Sequence, residues 1–196
     1  MASNGTDTLS KLFGSAARVR LLRLFLYNPR LSIAAADAAA RARVRPAETR
    51  RELALFVRLG LLEKHPRRGQ VRYTLASNSP YTAALQNLLL NTPAQAAHMH
   101  ERLRSAGAIK CIVVSGIFMN EWEGSVDLLV VGDRLKERTL REKVKLLEAE
   151  VGKEVRYATL ATQDFLYRLN MNDRLVRDVF DYPHRVVYDR LDIGLK

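Results

Sequence analysis

The chain has 196 residues, 47% of them hydrophobic, and carries 32 Lys and Arg against 21 Asp and Glu for a formal net charge of +11. That apolar content supports packed cores and excludes a disordered polyelectrolyte, while no apolar run approaches the ~18 residues that a membrane span requires. The N-terminal stretch MASNGTDTLSK has no apolar centre of the signal-peptide kind, so a cytoplasmic protein with no membrane partner is expected. The single cysteine, Cys111 within IKCIVV, allows neither a disulfide framework nor a Cys-based metal site, and reads as a small core residue.

The charge is unevenly placed. Residues 1–75 hold 15 basic and 5 acidic side chains, whereas residues 76–196 hold 17 and 16. Thirteen of the first fifteen cations are arginine, whose planar fork matches phosphate and guanine edges. A basic part joined to a neutral one points to a polyanion binder attached to something else.

In chain order, SKLFGSAARVRLLRLFLYNP places Val19, Leu22, Phe25 and Leu26 at helical spacing and stops at Asn28 and Pro29. Ser15 reads as the cap of this helix. The next stretch, LSIAAADAAARARV, predicts a second, alanine-rich helix capped by Ser32, with a break near Arg41 to Val44. RPAETRRELALFVRLGLLEKH predicts a third, with Pro46 in its first turn, Thr49, Leu53, Phe56 and Gly60 on the inward face, and Gly60 as C-terminal cap. LLEKHPRRGQVRYTLA then reads as a hairpin: Leu61 to Lys64, a tip over Pro66 to Gln70, and Val71, Tyr73 and Leu75 inward on the returning strand.

Three helices followed by a basic hairpin is the order of a winged helix-turn-helix, and RRELALFVRLGLLEK with RRGQVRYTL resembles the recognition helix and wing of ArsR- and MarR-like regulators. The resemblance implies that the third helix enters the major groove of double-stranded DNA and the wing tip lies along its backbone. The outward face of that helix then presents Arg45, Glu48, Arg51 and Arg58, with Arg50 at its edge. The candidate DNA-contacting residues are Arg43, Arg45, Arg50 and Arg51 around the helix and Arg67, Arg68 and Gln70 at the wing. A plain solvated cationic face, RNA binding and a winged helix that binds only protein are the competing readings.

After residue 76 the character changes. Residues 77–104 read as linker helices, Tyr81 to Leu90 and Thr92 to Ser105, the first with Leu85, Leu88 and Leu89 free to supply a homodimer contact. His98 and His100 stand at i and i+2, which point to different sides of a helix, so no metal site is expected there. Residues 105–196 then alternate: strands AIKCIVVSG and GSVDLLVVGD, an amphipathic helix with Leu140, Val144, Leu147 and Val151 inward, a strand KEVRYATLA, helices TQDFLYRL and DRLVRDVF, and a last strand HRVVYD. The fold class expected is α+β: a winged helix over 1–76, linker helices, and a small mixed-sheet domain over 105–196.

The run VVSGIFMNEWEGSVDLLVVGD, with the helix and strand after it, resembles the minimal nucleotidyltransferase domain of the polymerase-β superfamily over about residues 105–170. Active members pair a glycine–serine turn that handles the triphosphate with two carboxylates spaced D-x-D on the next strand, which hold two divalent ions. Residues i and i+2 of a strand share a side, so both can reach one metal pair. Here Ser115 and Gly116 are followed by Ile117 where the family has serine, Asp127 matches the second carboxylate, and Ser125 occupies the place of the first. Only Glu154 could offer a third. One anionic ligand is too little for two hard cations, so Ser115, Gly116, Ser125 and Asp127 mark at most a degenerate nucleotide site. No catalytic residue, cofactor or metal is expected.

The expected function is therefore a DNA-binding transcriptional regulator whose second domain serves dimerisation or the sensing of a nucleotide or protein effector. A nucleotidyltransferase acting on protein or RNA, as part of a toxin–antitoxin pair, is the alternative, and a structural adaptor in a nucleic-acid complex is a third.

Overall fold

The computed structural model describes residues 5–67, 69–90, 98–121, 123–192 and 194. The chain divides into two compact units, Met1–Thr92 with Leu147–Glu154, and Pro93–Leu146 with Val155–Lys196. It is α+β, as expected.

In the first unit, helices α1 (Gly5–Leu12) and α2 (Ala16–Leu26) are separated at Gly14, whose φ of +70 suits glycine. Ser15 caps α2, its hydroxyl accepting from Arg18 N at 3.2 Å. Val19, Leu22, Phe25 and Leu26 are buried as the spacing predicts, and so are Leu21 and Leu24, because α2 is the central helix of this core. A two-residue strand β1 (Ile33–Ala34), not expected, precedes α3 (Ala35–Ala42). It pairs with the hairpin and thereby displaces Ser32 from its expected capping place. Ala34 stands at the cap without a side-chain bond, and Ser32 instead accepts from Arg72 Nε at 3.2 Å through its hydroxyl and from Arg72 Nη2 through its carbonyl.

Helix α4 (Pro46–Arg58) buries Thr49, Glu52, Leu53 and Phe56. Its end is a Schellman turn: Gly60 at φ +68, Gly60 N donating to Val57 O at 3.0 Å and Leu61 N to Phe56 O at 2.9 Å. Gly60 is thus the cap expected, but it is exposed rather than inward. Strands β2 (Leu62–Arg67) and β3 (Gln70–Leu75) form the antiparallel hairpin, and β3 lies between β1 and β2 in the sheet. Tyr73 and Leu75 pack on the core, but Val71 is exposed, since it lies near the tip where the hairpin has left the helices behind. Helix α5 (Thr82–Leu90), expected in a linker, belongs to this core through Leu85 and buried Leu89. Arg23 of α2 is fully buried, donating to Leu89 O at 3.2 Å and Glu150 O at 3.0 Å.

In the second unit a short helix α6 (Met99–Leu103) leads into β4 (Ala108–Val114), followed by β5 (Leu128–Asp133), α7 (Glu137–Val151, whose residues from Leu147 onward count with the first unit), β6 (Tyr157–Leu160), α8 (Thr162–Asn170), α9 (Arg174–Phe180) and β7 (Arg185–Asp189). The sheet order is β6-β5-β4-β7. β4 runs antiparallel to both β5 and β7, whereas β5 and β6 are parallel, joined through α7 as parallel pairing requires. Leu140, Val144, Leu147 and Val151 of α7 are all buried. Phe165, Val176 and Val179 of α8 and α9 cover one face of the sheet against Cys111, Val113, Leu129 and Val131. The second predicted linker helix is only partly described, residues 91–97 lying outside the described residues; its remainder contains α6. Among the described residues no helix is long and apolar enough to cross a membrane.

Candidate functional site

Arg45 is the N-cap residue of helix α4; it adopts extended φ and ψ and leaves the helix N-terminus without a side-chain cap. Arg43, just before it, holds a left-handed φ of +49 at the end of α3, the sharp turn that sets α4 across α3. Arg43, Arg45, Arg50, Arg51 and Arg58 are all exposed, so the outward face of α4 is cationic as expected. Glu48 is half-buried rather than fully outward. At the hairpin tip Arg67 and Gln70 face each other in register and are both exposed, with Gly69 turning the chain at φ +79. Arg68 lies outside the described residues.

These cations differ in how they are held. Arg51 Nη2 lies 4.0 Å from Glu48 Oε1 and 3.7 Å from Glu52 Oε1. Glu52 in turn takes a fork from α2: Arg18 Nε donates to Oε2 at 2.8 Å and Nη2 to Oε1 at 3.4 Å. Glu52 was not foreseen, although its place three residues after Thr49 puts it on the inward stripe with Leu53 and Phe56. A carboxylate on such a stripe requires a cationic partner, and half-buried Arg18 supplies it.

In the second unit, Asp127 is fully buried and saturated. Its Oδ1 accepts from Ile117 N at 3.0 Å and Arg156 Nη2 at 2.8 Å; its Oδ2 accepts from Arg156 N at 2.8 Å and Arg156 Nε at 3.0 Å. The bidentate guanidinium occupies both oxygens. It also brings a positive charge to the place a cation would take. The bond to Asp127 holds the Arg156 pKa above its ordinary value, with burial opposing. Gly116 has a φ of +52, and a Cβ built there would lie 2.0 Å from Asp127 Oδ1, so this glycine makes room for the carboxylate itself.

The expected D-x-D geometry is corrected here. β5 starts at Leu128, so Ser125 and Asp127 precede the strand and do not share a strand face. Ser125 is exposed and donates through both its backbone N–H, at 3.0 Å, and its hydroxyl to Asp178 Oδ2 on α9. These bonds lower the Asp178 pKa, the hydroxyl bond being the largest cause; burial opposes them, and Arg174 and Arg156 add to them. Ser115 is buried, its hydroxyl donating to Val126 O at 2.5 Å, and Glu154 is exposed. The four nucleotide-site candidates are therefore near one another in the turn before β5, but each is committed to a partner in the protein. Among the described residues no group of three or more His, Cys, Asp or Glu could hold a metal ion.

Arg156 and Asp178 were missed because their role depends on tertiary approach: Arg156 lies 29 residues from Asp127, and no local spacing marks it. His98 bonds to Glu101 at 3.1 Å and His100 stacks on Tyr188 at 3.7 Å, so the two histidines are separately engaged. Cys111 is buried, and burial, with Asp189 nearby, pushes its pKa up to about 12. No family model, curated protein or solved structure matches the chain.

Proposed function

We propose that this protein is a cytoplasmic DNA-binding transcriptional regulator that reads a duplex with the first unit. Helix α4 enters the major groove with Arg45, Arg50 and Arg51, and the β2–β3 hairpin lays Arg67 and Gln70 along the backbone. Arg43 reaches a phosphate from the turn before α4. The observation that carries this reading is the placement of exposed arginines on one helix face and at one hairpin tip, the two elements such a fold brings to DNA, within a part of the chain that holds nearly all the excess charge. The uncapped N-terminus of α4 adds a partial positive charge suited to a phosphate.

Asp127, committed to Arg156 and two backbone amides, has no lone pair left to ligate a divalent ion without losing an existing bond. That supports a second unit that dimerises the protein or senses an effector in preference to one that transfers nucleotides. A dimer reads two half-sites about one helical turn apart.

Selection of bound duplexes from a random pool, with the solution mass of the full chain measured alongside, tests the reading. A palindromic consensus and a dimeric mass are expected. Recovery of no consensus, with binding that vanishes at physiological salt, would leave only nonspecific charge attraction.

A further inference from the structure

Glu52 is a carboxylate with a 2% exposed side chain on a helix whose outward face is cationic. It forms the middle of a relay that starts inside the unit and ends in solvent. The Phe13 carbonyl accepts from Arg18 Nη1 at 2.8 Å; Arg18 grips Glu52 through Nε and Nη2; and Glu52 Oε1 stands 3.7 Å from Arg51 Nη2. Glu48 brackets the same nitrogen at 4.0 Å. Arg51 nevertheless keeps a 73% exposed side chain. Among the described residues, its neighbour Arg50 has no such ion pair.

An arginine that locks onto a base edge gives up rotamer freedom, and a partner that restricts it beforehand lowers that cost. A free arginine suits a phosphate, which accepts from many directions. A guanine edge accepts a fork in one geometry. We propose that Glu52 is a positioning residue for base reading: anchored by Arg18, it presets Arg51 for bidentate contact with a guanine in the major groove, while Arg50 serves the backbone. The inference rests on the DNA reading proposed above and adds which arginine reads and what holds it.

The test uses the full-length chain and two probes, the duplex that the wild-type protein selects from a random pool and a shuffled duplex of the same length and composition. Glu52→Gln keeps size and one acceptor for Arg18 but removes the charge that holds Arg51. It is expected to lower affinity for the selected duplex on the order of tenfold, the lower range for a bidentate arginine–guanine contact, and to leave the shuffled duplex unchanged within about twofold. In an Arg51→Ala background the same change should add nothing, because Glu52 then has nothing to position. Arg18→Lys, which loosens the anchor while leaving Glu52 in place, should reproduce the specific loss if Glu52→Gln does not fold.

Additive losses in the double variant, or equal losses on both duplexes, would show that Glu52 only holds α2 to α4, and the positioning role would fall while DNA reading stood. A wild-type protein that selects no sequence would overturn both together.

Discussion

Each unit has a buried carboxylate gripped by an arginine fork, and the two are built to different ends. Asp127 is closed: two backbone amides and one guanidinium take both oxygens, and a Cβ on the glycine beside it would collide with the carboxylate. Glu52 is open: its partners are side chains, and one of them, Arg51, is mostly exposed. A carboxylate sealed by backbone amides stabilises a turn, whereas one shared between a half-buried and an exposed cation can orient a group that meets a ligand. The comparison fits a folding role for the first and, on the proposed DNA reading, a positioning role for the second.

The largest effect should come from unsealing Asp127. Arg156→Met leaves a buried charge with only two amide donors and should lower stability by about 3 kcal/mol, the lower end for a broken buried pair because the Arg156 side chain is itself 43% exposed. Gly116→Ala should cost a similar amount, combining a positive φ with a collision at the carboxylate. Urea midpoints read both, and DNA affinity measured where the protein is folded should not move. A midpoint unchanged in Arg156→Met would mean that Asp127 does not depend on its fork.

The same substitution made at the open site should split in two. Arg18→Met strands Glu52 with only the more distant Arg51 and is expected to cost about 2 kcal/mol. Arg51→Ala removes an exposed partner and should change stability by less than about 0.5 kcal/mol while weakening binding to a selected duplex. If Arg51→Ala were as destabilising as Arg18→Met, Arg51 would be part of the core linkage and not an instrument of recognition.

A smaller effect concerns acid. The Asp178 pKa is depressed, chiefly by the Ser125 hydroxyl, so its contribution to stability is present above the ordinary aspartate range and is lost as pH falls through the depressed value. Ser125→Ala should therefore lower stability slightly at neutral pH and leave it unchanged below the depressed value, which flattens the acid limb of a stability-versus-pH curve. A loss confined to acid, with the neutral region unchanged, would contradict this assignment.

How much of this could be read in advance varies with range. Periodicity located α2, α4 and α7 and their inward residues, because an apolar stripe is a local signal. The Gly60 cap and the Ser15 cap were legible for the same reason. The strand β1 was not, since two residues carry no period and exist only through pairing with β3. Ser32 was misplaced with it. The D-x-D spacing led to an expectation of a shared strand face, but β5 begins one residue after Asp127, and the fork that decides that carboxylate's role comes from Arg156, far along the chain. Arginine density pointed to α4 and the hairpin; it did not distinguish the tethered Arg51 from the untethered Arg50.

The central claim is that α4 reads sequence and the hairpin does not. The direct measurement is the affinity of the Arg50→Ala/Arg51→Ala and Arg67→Ala variants for a selected and a shuffled duplex over a range of salt. The helix variant should lose about 1–3 kcal/mol on the selected duplex for each base contact removed, beyond its loss on the shuffled one. Arg67→Ala should weaken both alike and reduce the salt slope by about one. Equal losses on both duplexes for the helix variant would contradict the account.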